Sequence, residues 1–219
     1  MEKKEVLSEV AEITAKTLLS VIPVGGTLVT CIWDSIKANS ANRRMEDWKK
    51  QVEEKLCDLN LSLDAIGNNE LFASAMMKAT DIALKTAEDE KRQYLASAVK
   101  NSATASIDES VMMIYLDLLD KYTLWHIRIL HLFRNPKGFE QVHVEGIMMG
   151  SASIVVEQVY PEIAKEKELL DKIVKDLQND GMMAEGSYMH SGMTSCGVAA
   201  SRTTELGNKF LKFILDECK

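Results

Sequence analysis

Apolar residues recur at steps of three and four along most of the chain, which is the spacing of an amphipathic helix. Such a stripe predicts a first helix from Val6 to Leu19. Proline lacks the N–H that a helix interior needs and glycine tolerates a positive φ. We therefore expect a turn next and a second helix from Thr27 to Ala38, with the hinge of this hairpin at Pro23, Gly25 and Gly26.

A third helix is predicted to begin at Asn42, a good N-cap residue. Its apolar seam lies among charged residues and consists of Met45, Trp48, Val52, Leu56 and Leu59. A new stripe that includes Phe72, Ala79 and Ile82 follows the break at Asn68-Asn69. These patterns predict helices that pack on one another through one face each.

Polar residues mark further helix starts. Thr86 with Asp89, and Ser106 with Glu109, have the spacing of a capping box. Thr123 is the expected N-cap of a helix from Leu124 to Phe133. That helix is expected to end at Asn135-Pro136-Lys137-Gly138.

The last third predicts a short helix from Ser151 to Tyr160 and a longer one from Glu162 to Gln178, separated by Pro161. Two short strands are expected in the glycine-rich stretch Gly186 to Ser201, at Tyr188-Met189-His190 and Val198-Ala199-Ala200, before a final helix from Thr203 to Leu215. This is the order of a winged-helix module. The predicted class is all-α, mainly a helical bundle, with a small C-terminal winged-helix-like β-hairpin. The predicted domains are residues 1–120, a bundle with the N-terminal hairpin, and residues 121–219, the winged-helix-like module.

Composition narrows the class of protein. A formal net charge of −7 argues against a surface built as a whole to hold nucleic acid or anionic lipid. The four cysteines form no CxxC pair, and no basic region leads into a cleavable apolar segment at the start of the chain. A reducing, cytoplasmic location is the expectation.

Several stretches resemble a widespread family of uncharacterised bacterial helical proteins. The stretches are Val21-Ile22-Pro23-Val24-Gly25-Gly26, Asn42-Arg43-Arg44, residues 89–96, Leu124-Trp125-His126-Ile127-Arg128-Ile129-Leu130 and residues 203–214. The same layout is loosely similar to the abortive-infection alpha family, whose members are linked to phage defence. That likeness is an analogy of fold. It implies a link to phage defence and does not imply any catalytic residue.

No constellation for chemistry is recognised in the sequence. His126 and His131 are five apart, which turns them away from a shared helix face and does not predict a metal site. Residues 192–197 hold potential nucleophiles near His190 but lack the register of a nucleophile turn. Gly25-Gly26 lacks the lysine of a phosphate loop. We therefore expect no enzyme activity, no metal and no cofactor.

Charge decides between two interpretations of the winged-helix order. Residues 162–180 contain four lysines and six carboxylates, which gives a net charge of −2. This charge opposes binding of the predicted recognition helix to the phosphates of DNA. Lys165, Lys172, Lys175 and Arg202 are the candidate surface for DNA or for a protein partner. A protein partner or a homo-oligomer is expected, and a DNA-binding regulator is the alternative.

A third interpretation is a membrane-perturbing effector, because Thr17 to Trp33 is uncharged. That run is interrupted by Pro-Gly-Gly and is shorter than the roughly 20 residues that a span needs. Membrane contact would therefore require a conformational change of the N-terminal hairpin. Methionine pairs at 148–149 and 182–183 lie beside glycines and are candidates for a partner surface, since exposed thioethers adapt to different partners. The leading prediction is a non-enzymatic protein, linked to phage defence, that acts by protein–protein contact.

Overall fold

The computed structural model describes residues 28–57, 69–104, 107–186 and 189–216, with side chains from residue 42 onward. These residues are mostly helical and contain no β-strand, so the predicted all-α class is confirmed. The helices are α1 (Leu28–Cys57), α2 (Glu70–Lys85), α3 (Asp89–Thr104), α4 (Glu109–Lys121), α5 (Leu124–Arg134), α6 (Ser153–Val159), α7 (Pro161–Ala164), α8 (Lys167–Asn179), α9 (Ser195–Val198) and α10 (Glu205–Ile214). A 3₁₀ turn, Pro136–Gly138, follows α5.

The chain divides into two compact units. The first comprises Met1–Lys121 and Phe213–Lys219, and the second is Tyr122–Lys212. The domains predicted at residues 1–120 and 121–219 stay a prediction, because a compact unit is a domain only if it can fold alone.

The core of the first unit lies between α1, α2, α3 and α4. Met45, Trp48, Val52 and Leu56 of α1 are buried, which confirms the predicted seam, whereas Leu59 lies outside the described residues. The indole N–H of Trp48 donates to Thr80 Oγ1 at 3.0 Å, and the Thr80 hydroxyl donates to the Met76 carbonyl at 2.7 Å. A buried polar group without a partner is costly, so this chain of bonds allows the Trp48 side chain to enter the core.

The predicted helix boundary at Asn42 is wrong, because α1 runs without a break from Leu28 to Cys57. Asn39, Ser40 and Asn42 have side chains that can compete for backbone hydrogen bonds, which favours an interruption. The stretch contains neither glycine nor proline, however, and the helix continues. The predicted hinge at Pro23, Gly25 and Gly26 lies outside the described residues.

Polar caps start the next helices at positions that differ in part from the predicted ones. Thr86 ends α2, where its N–H donates to the Ile82 carbonyl at 3.1 Å, and α3 begins only at Asp89. For α4 the cap is Asp108, whose Oδ1 accepts from the N–H of Ser110 at 2.9 Å. Ser106 lies outside the described residues. The Thr86 hydroxyl accepts from the Glu88 N–H at 3.2 Å but lies before the start of α3 at Asp89, so Thr86 is not the N-cap that the predicted capping box requires.

In the second unit, the region from Pro161 to Asn179 is two helices where one was predicted. After α7 the backbone leaves helical geometry at Glu166, and α8 starts at Lys167. No glycine or proline marks this break, so apolar spacing alone cannot reveal it. The buried stripe of α8 is Leu170, Ile173, Val174 and Leu177.

The predicted strand at Val198-Ala199-Ala200 is also wrong. Ser195–Val198 is one turn of helix, and the described part of the predicted hairpin contributes one isolated bridge, Met193 to Gly150. The other isolated bridge among the described residues, Met183 to Thr203, lies outside the predicted hairpin. The carbonyls of Val198 and Ala200 accept hydrogen bonds from the Arg202 guanidinium. Those oxygens are therefore engaged and do not form a strand ladder.

The start of α10 passes very close to another segment of the second unit. Thr204 Oγ1 donates to the Gly181 carbonyl at 2.6 Å and accepts from the Gly207 N–H at 3.0 Å. A Cβ on Gly207 would lie 2.3 Å from the Met182 carbonyl oxygen and 2.7 Å from a methyl carbon of Thr203. Only glycine fits at this crossing without movement of the backbone.

Gly207→Ala should destabilise the protein by about 1–3 kcal/mol, the usual cost of overpacking. Helix propensity alone predicts the opposite sign, because alanine is favoured over glycine by about 1 kcal/mol inside a helix. Urea unfolding would measure the change, with Asn208→Ala, half-buried in the same helix, as the matched control. A stabilised Gly207→Ala variant would contradict the close approach.

Candidate functional site

The lysines of the candidate basic surface lie on or beside α8. Lys165 and Lys175 are exposed. Lys172 is also exposed, but its Nζ donates to Asp176 Oδ2 at 2.5 Å, one turn further along the helix. A carboxylate therefore compensates the charge of Lys172, and this lysine offers little net attraction to phosphate.

Arg202 lies inside the second unit, with only 8% of its surface exposed. Its guanidinium donates to the carbonyls of Gly197 at 2.7 Å, Ala200 at 2.7 Å and Val198 at 3.3 Å, and it lies 5.1 Å from the centre of the Phe133 ring. Burial lowers the pKa of Arg202 from its ordinary value. The prediction that Arg202 belongs to a partner or DNA surface is wrong, because its donors already bind the protein's own backbone.

The four predicted residues therefore do not form a positive strip. One is buried and one is paired with an aspartate, which leaves Lys165 and Lys175 among the exposed carboxylates of Glu166, Glu168 and Asp171. This arrangement does not support the electrostatic requirement of the DNA-binding alternative.

A polar cluster joins the start of α5 to α8. Both Thr123 Oγ1 at 2.9 Å and the Thr123 N–H at 3.3 Å contact His126 Nδ1, while His126 Nε2 lies 3.4 Å from Asp176 Oδ2. Tyr122 stacks on the His126 ring, with centroids 5.1 Å apart, and its hydroxyl donates to Asp180 Oδ2 at 2.8 Å. Burial, and then the bond to Asp180, raise the pKa of Tyr122 well above its ordinary value.

Both ring nitrogens of His126 have partners within this cluster. Nδ1 accepts from the backbone of its own helix cap, which leaves Nε2 to carry the proton toward Asp176. A general base needs a nitrogen within reach of a substrate. The cluster therefore links α5 to α8 and is not arranged for proton transfer to a ligand.

The other candidate for chemistry is the loop around His190. Its Nε2 lies 3.0 Å from Asp171 Oδ1, and Cys196 is exposed in α9. Within the described ranges, no group of three or more histidine, cysteine or carboxylate side chains could hold a metal ion. None of the helices in those ranges is long and apolar enough to cross a membrane.

A depression of about 480 Å³ opens at the C-terminal end of α5 and is lined by His131, Arg134, Asn135, Gly138 and Phe139. His131 packs edge-on against Phe139, with ring centroids 5.6 Å apart. The carbonyl end of a helix carries partial negative charge, which counteracts the attraction of Arg134 for an anion. No ligand class is indicated by this balance.

The two methionine pairs named from the sequence have opposite environments. Met182 and Met183 are buried, whereas 92% of Met148 and 79% of Met149 are exposed. The prediction of an exposed pair therefore holds for 148–149 and is wrong for 182–183. We use the term methionine surface for Ile147, Met148, Met149, Ile154 and Gly192.

Backbone hydrogen bonds hold this surface in place. Gly150 N–H donates to the Met193 carbonyl at 2.9 Å, and Met193 N–H donates back at 2.7 Å. Ile147 and Ile154 flank Gly150, where an added Cβ would lie 3.0 Å and 2.7 Å from their methyl carbons. The Met149 thioether lies across Gly192, 3.5 Å from where a Cβ would be. Apolar side chains are thus presented to solvent on a hydrogen-bonded frame.

Comparison of the chain with models of known protein families, with curated proteins and with solved structures gives no match.

Arg202→Lys should destabilise the protein by on the order of 3 kcal/mol, because carbonyls left without a donor in the interior lose hydrogen bonds to a charged group. Lys175→Ala, an exposed basic position on α8, should change stability by less than about 0.5 kcal/mol. Urea unfolding would measure both changes. Equal effects would show that Arg202 does not organise the interior.

The lowered pKa of Asp176 predicts how the stability of the folded protein changes at acid pH. The hydrogen bond from Lys172 lowers the pKa of Asp176, and His126 adds to this effect against partial desolvation. A carboxyl with a lowered folded pKa stabilises the folded state above its ordinary pKa and loses that contribution as the pH falls through the folded value. Asp176→Asn should therefore be less stable at neutral pH and lose less stability than the wild type below about pH 4.

Thermal unfolding followed by circular dichroism across the acid range would measure this response. Glu162→Gln, which removes an exposed carboxyl from α7, is the control and should leave the wild-type slope unchanged. An unaltered acid slope in Asp176→Asn would show that the carboxyl has no role in linking the two helices.

Proposed function

We propose that this protein acts without chemistry of its own, by binding another protein through the methionine surface. The observation that carries the proposal is the exposure of Met148 and Met149, 92% and 79%, on a loop fixed by the paired hydrogen bonds between Gly150 and Met193. Exposed thioethers are flexible and polarisable, and they form adaptable contact surfaces. A rigid frame lowers the entropy lost when such a contact forms.

The polar groups of the same unit support a binding role over catalysis. His126 is engaged at both nitrogens, so neither is available to act as a general base on a ligand. The proposal includes a cytoplasmic location, since the four cysteines form no CxxC pair, and a role in phage defence, since the layout is loosely similar to the abortive-infection alpha family. A second copy of the chain is included among the protein partners that the test distinguishes.

Photo-crosslinking in cells would test the proposal directly. A photoreactive residue at position 148 should give discrete crosslinked species of higher mass, because Met148 faces the partner. The matched control is position 77, since Met77 is also an exposed methionine, 57% exposed, but belongs to the first unit. Adding Met149→Glu should abolish the crosslinks from position 148.

Irradiation of the purified protein distinguishes a second copy of the chain from a different protein as the partner. A dimer band from position 148 alone would identify a second copy, and its absence would identify a different protein when crosslinks appear in cells. Equal crosslinking from positions 148 and 77, or none from either, would overturn the proposal.

A further inference from the structure

We infer that the methionine surface takes a positively charged amphipathic helix, which names the partner class for the proposed function and rests on it. Three features of the second unit lead to this class of partner. They are the charges near the surface in the sequence, the hydrogen bonds that join the segments bearing two of the carboxylates, and the hydrogen bonds that the Gly150 backbone already makes.

The segment that carries four of the five residues of the methionine surface contains no side chain with a permanent positive charge. From Gly138 to Ala164 there is neither lysine nor arginine, and the acidic residues are Glu140, Glu145, Glu157 and Glu162. All four glutamates are exposed. An apolar surface on a segment whose exposed carboxylates have no lysine or arginine beside them in the chain favours a partner that brings cationic groups beside apolar ones, because opposite charges accelerate the encounter and fix its register.

The loop before the surface is fixed against α6. The Gln158 side chain accepts from the His143 N–H at 3.0 Å and donates to the His143 carbonyl at 2.9 Å. Glu157 is adjacent to Gln158, and Glu145 is two residues from His143. Gly146, with φ +79°, then turns the chain into Ile147 and Met148. The two carboxylates therefore belong to segments that this bond pair joins, with Glu145 three residues before Met148 and Glu157 three residues after Ile154 in the chain.

The local backbone favours a helix over an added strand. Both the N–H and the carbonyl of Gly150 are already bonded to Met193, so a partner strand cannot pair at this residue. Binding then depends on side chains, which is how an apolar helix face is recognised. Flexible methionines are suited to contact apolar residues spaced at three and four positions along such a helix.

Fluorescence anisotropy with defined peptides would test the inference on the full-length protein. The probe is a labelled peptide of leucine and lysine whose leucines repeat at helical spacing, and the comparison peptides are a scrambled sequence of the same composition and a leucine–glutamate peptide with the same spacing. The patterned leucine–lysine peptide should bind at least about tenfold more tightly than either comparison peptide, because its charge and its apolar face are both recognised.

Two sets of variants separate the apolar contribution from the charged one. Met148→Gln with Met149→Gln should weaken binding of the patterned peptide by about tenfold or more, whereas Met77→Gln should leave it unchanged. Glu145→Gln with Glu157→Gln should weaken binding and flatten its dependence on salt, since screening acts on charges. Circular dichroism would verify that each variant keeps the helical content of the wild type.

The outcomes distinguish this inference from the proposed function. Equal binding of the scrambled or the leucine–glutamate peptide, or undiminished binding by Met148→Gln with Met149→Gln, would overturn the cationic helix as the partner class. If crosslinks from position 148 persist in cells while the patterned peptide does not bind, the partner class is wrong and the protein-binding function stands. Loss of both signals would overturn both.

Discussion

The buried guanidinium of Arg202 is the interaction on which the second unit depends. It donates to the carbonyls of Gly197, Val198 and Ala200, while the backbone N–H of Arg202 donates to the Phe133 carbonyl at 2.9 Å. A segment rich in glycine and small residues has little apolar surface of its own to bury, so these bonds give it a defined conformation. Met193 lies within that segment and pairs with Gly150. The orientation of Met148 and Met149 therefore depends on an arginine that does not reach the surface.

Apolar spacing predicted the helices of the first unit because each has one face against the core. The seam of α1 and the buried positions Phe72, Ala79 and Ile82 of α2 are examples. The same reasoning failed where local signals are ambiguous. Asn39, Ser40 and Asn42 resemble a helix end but lie within α1, while the break before Lys167 carries no signal in its residues. Helix boundaries there are decided by competition between local bonds and packing, which the sequence does not display.

The candidate site could be predicted only in part. The sequence identified both methionine pairs, but the pairs are alike in composition, and only tertiary position separates the exposed Met148-Met149 from the buried Met182-Met183. The sequence predicts Arg202 on the surface because it is the basic residue that the predicted wing contributes. Its partners are backbone carbonyls that folding brings near it. Every residue has a carbonyl, so the residue types in the sequence do not indicate these partners. A local signal was present for His126, three residues after the cap Thr123, although it does not reveal the contact with Asp176.

The contrast between the two methionine pairs gives the protein an internal reference for chemical footprinting. Dilute peroxide converts an accessible thioether to a sulfoxide and is reduced to water, while a thioether without contact with solvent reacts slowly. Within one molecule, positions 148 and 149 should take up oxygen before positions 182 and 183. Without a partner, Met148 and Met149 should be oxidised before the less exposed Met77. A molecule that covers Met148 and Met149 would reverse this order, so binding to the methionine surface can be followed by peptide mass without a label or an antibody.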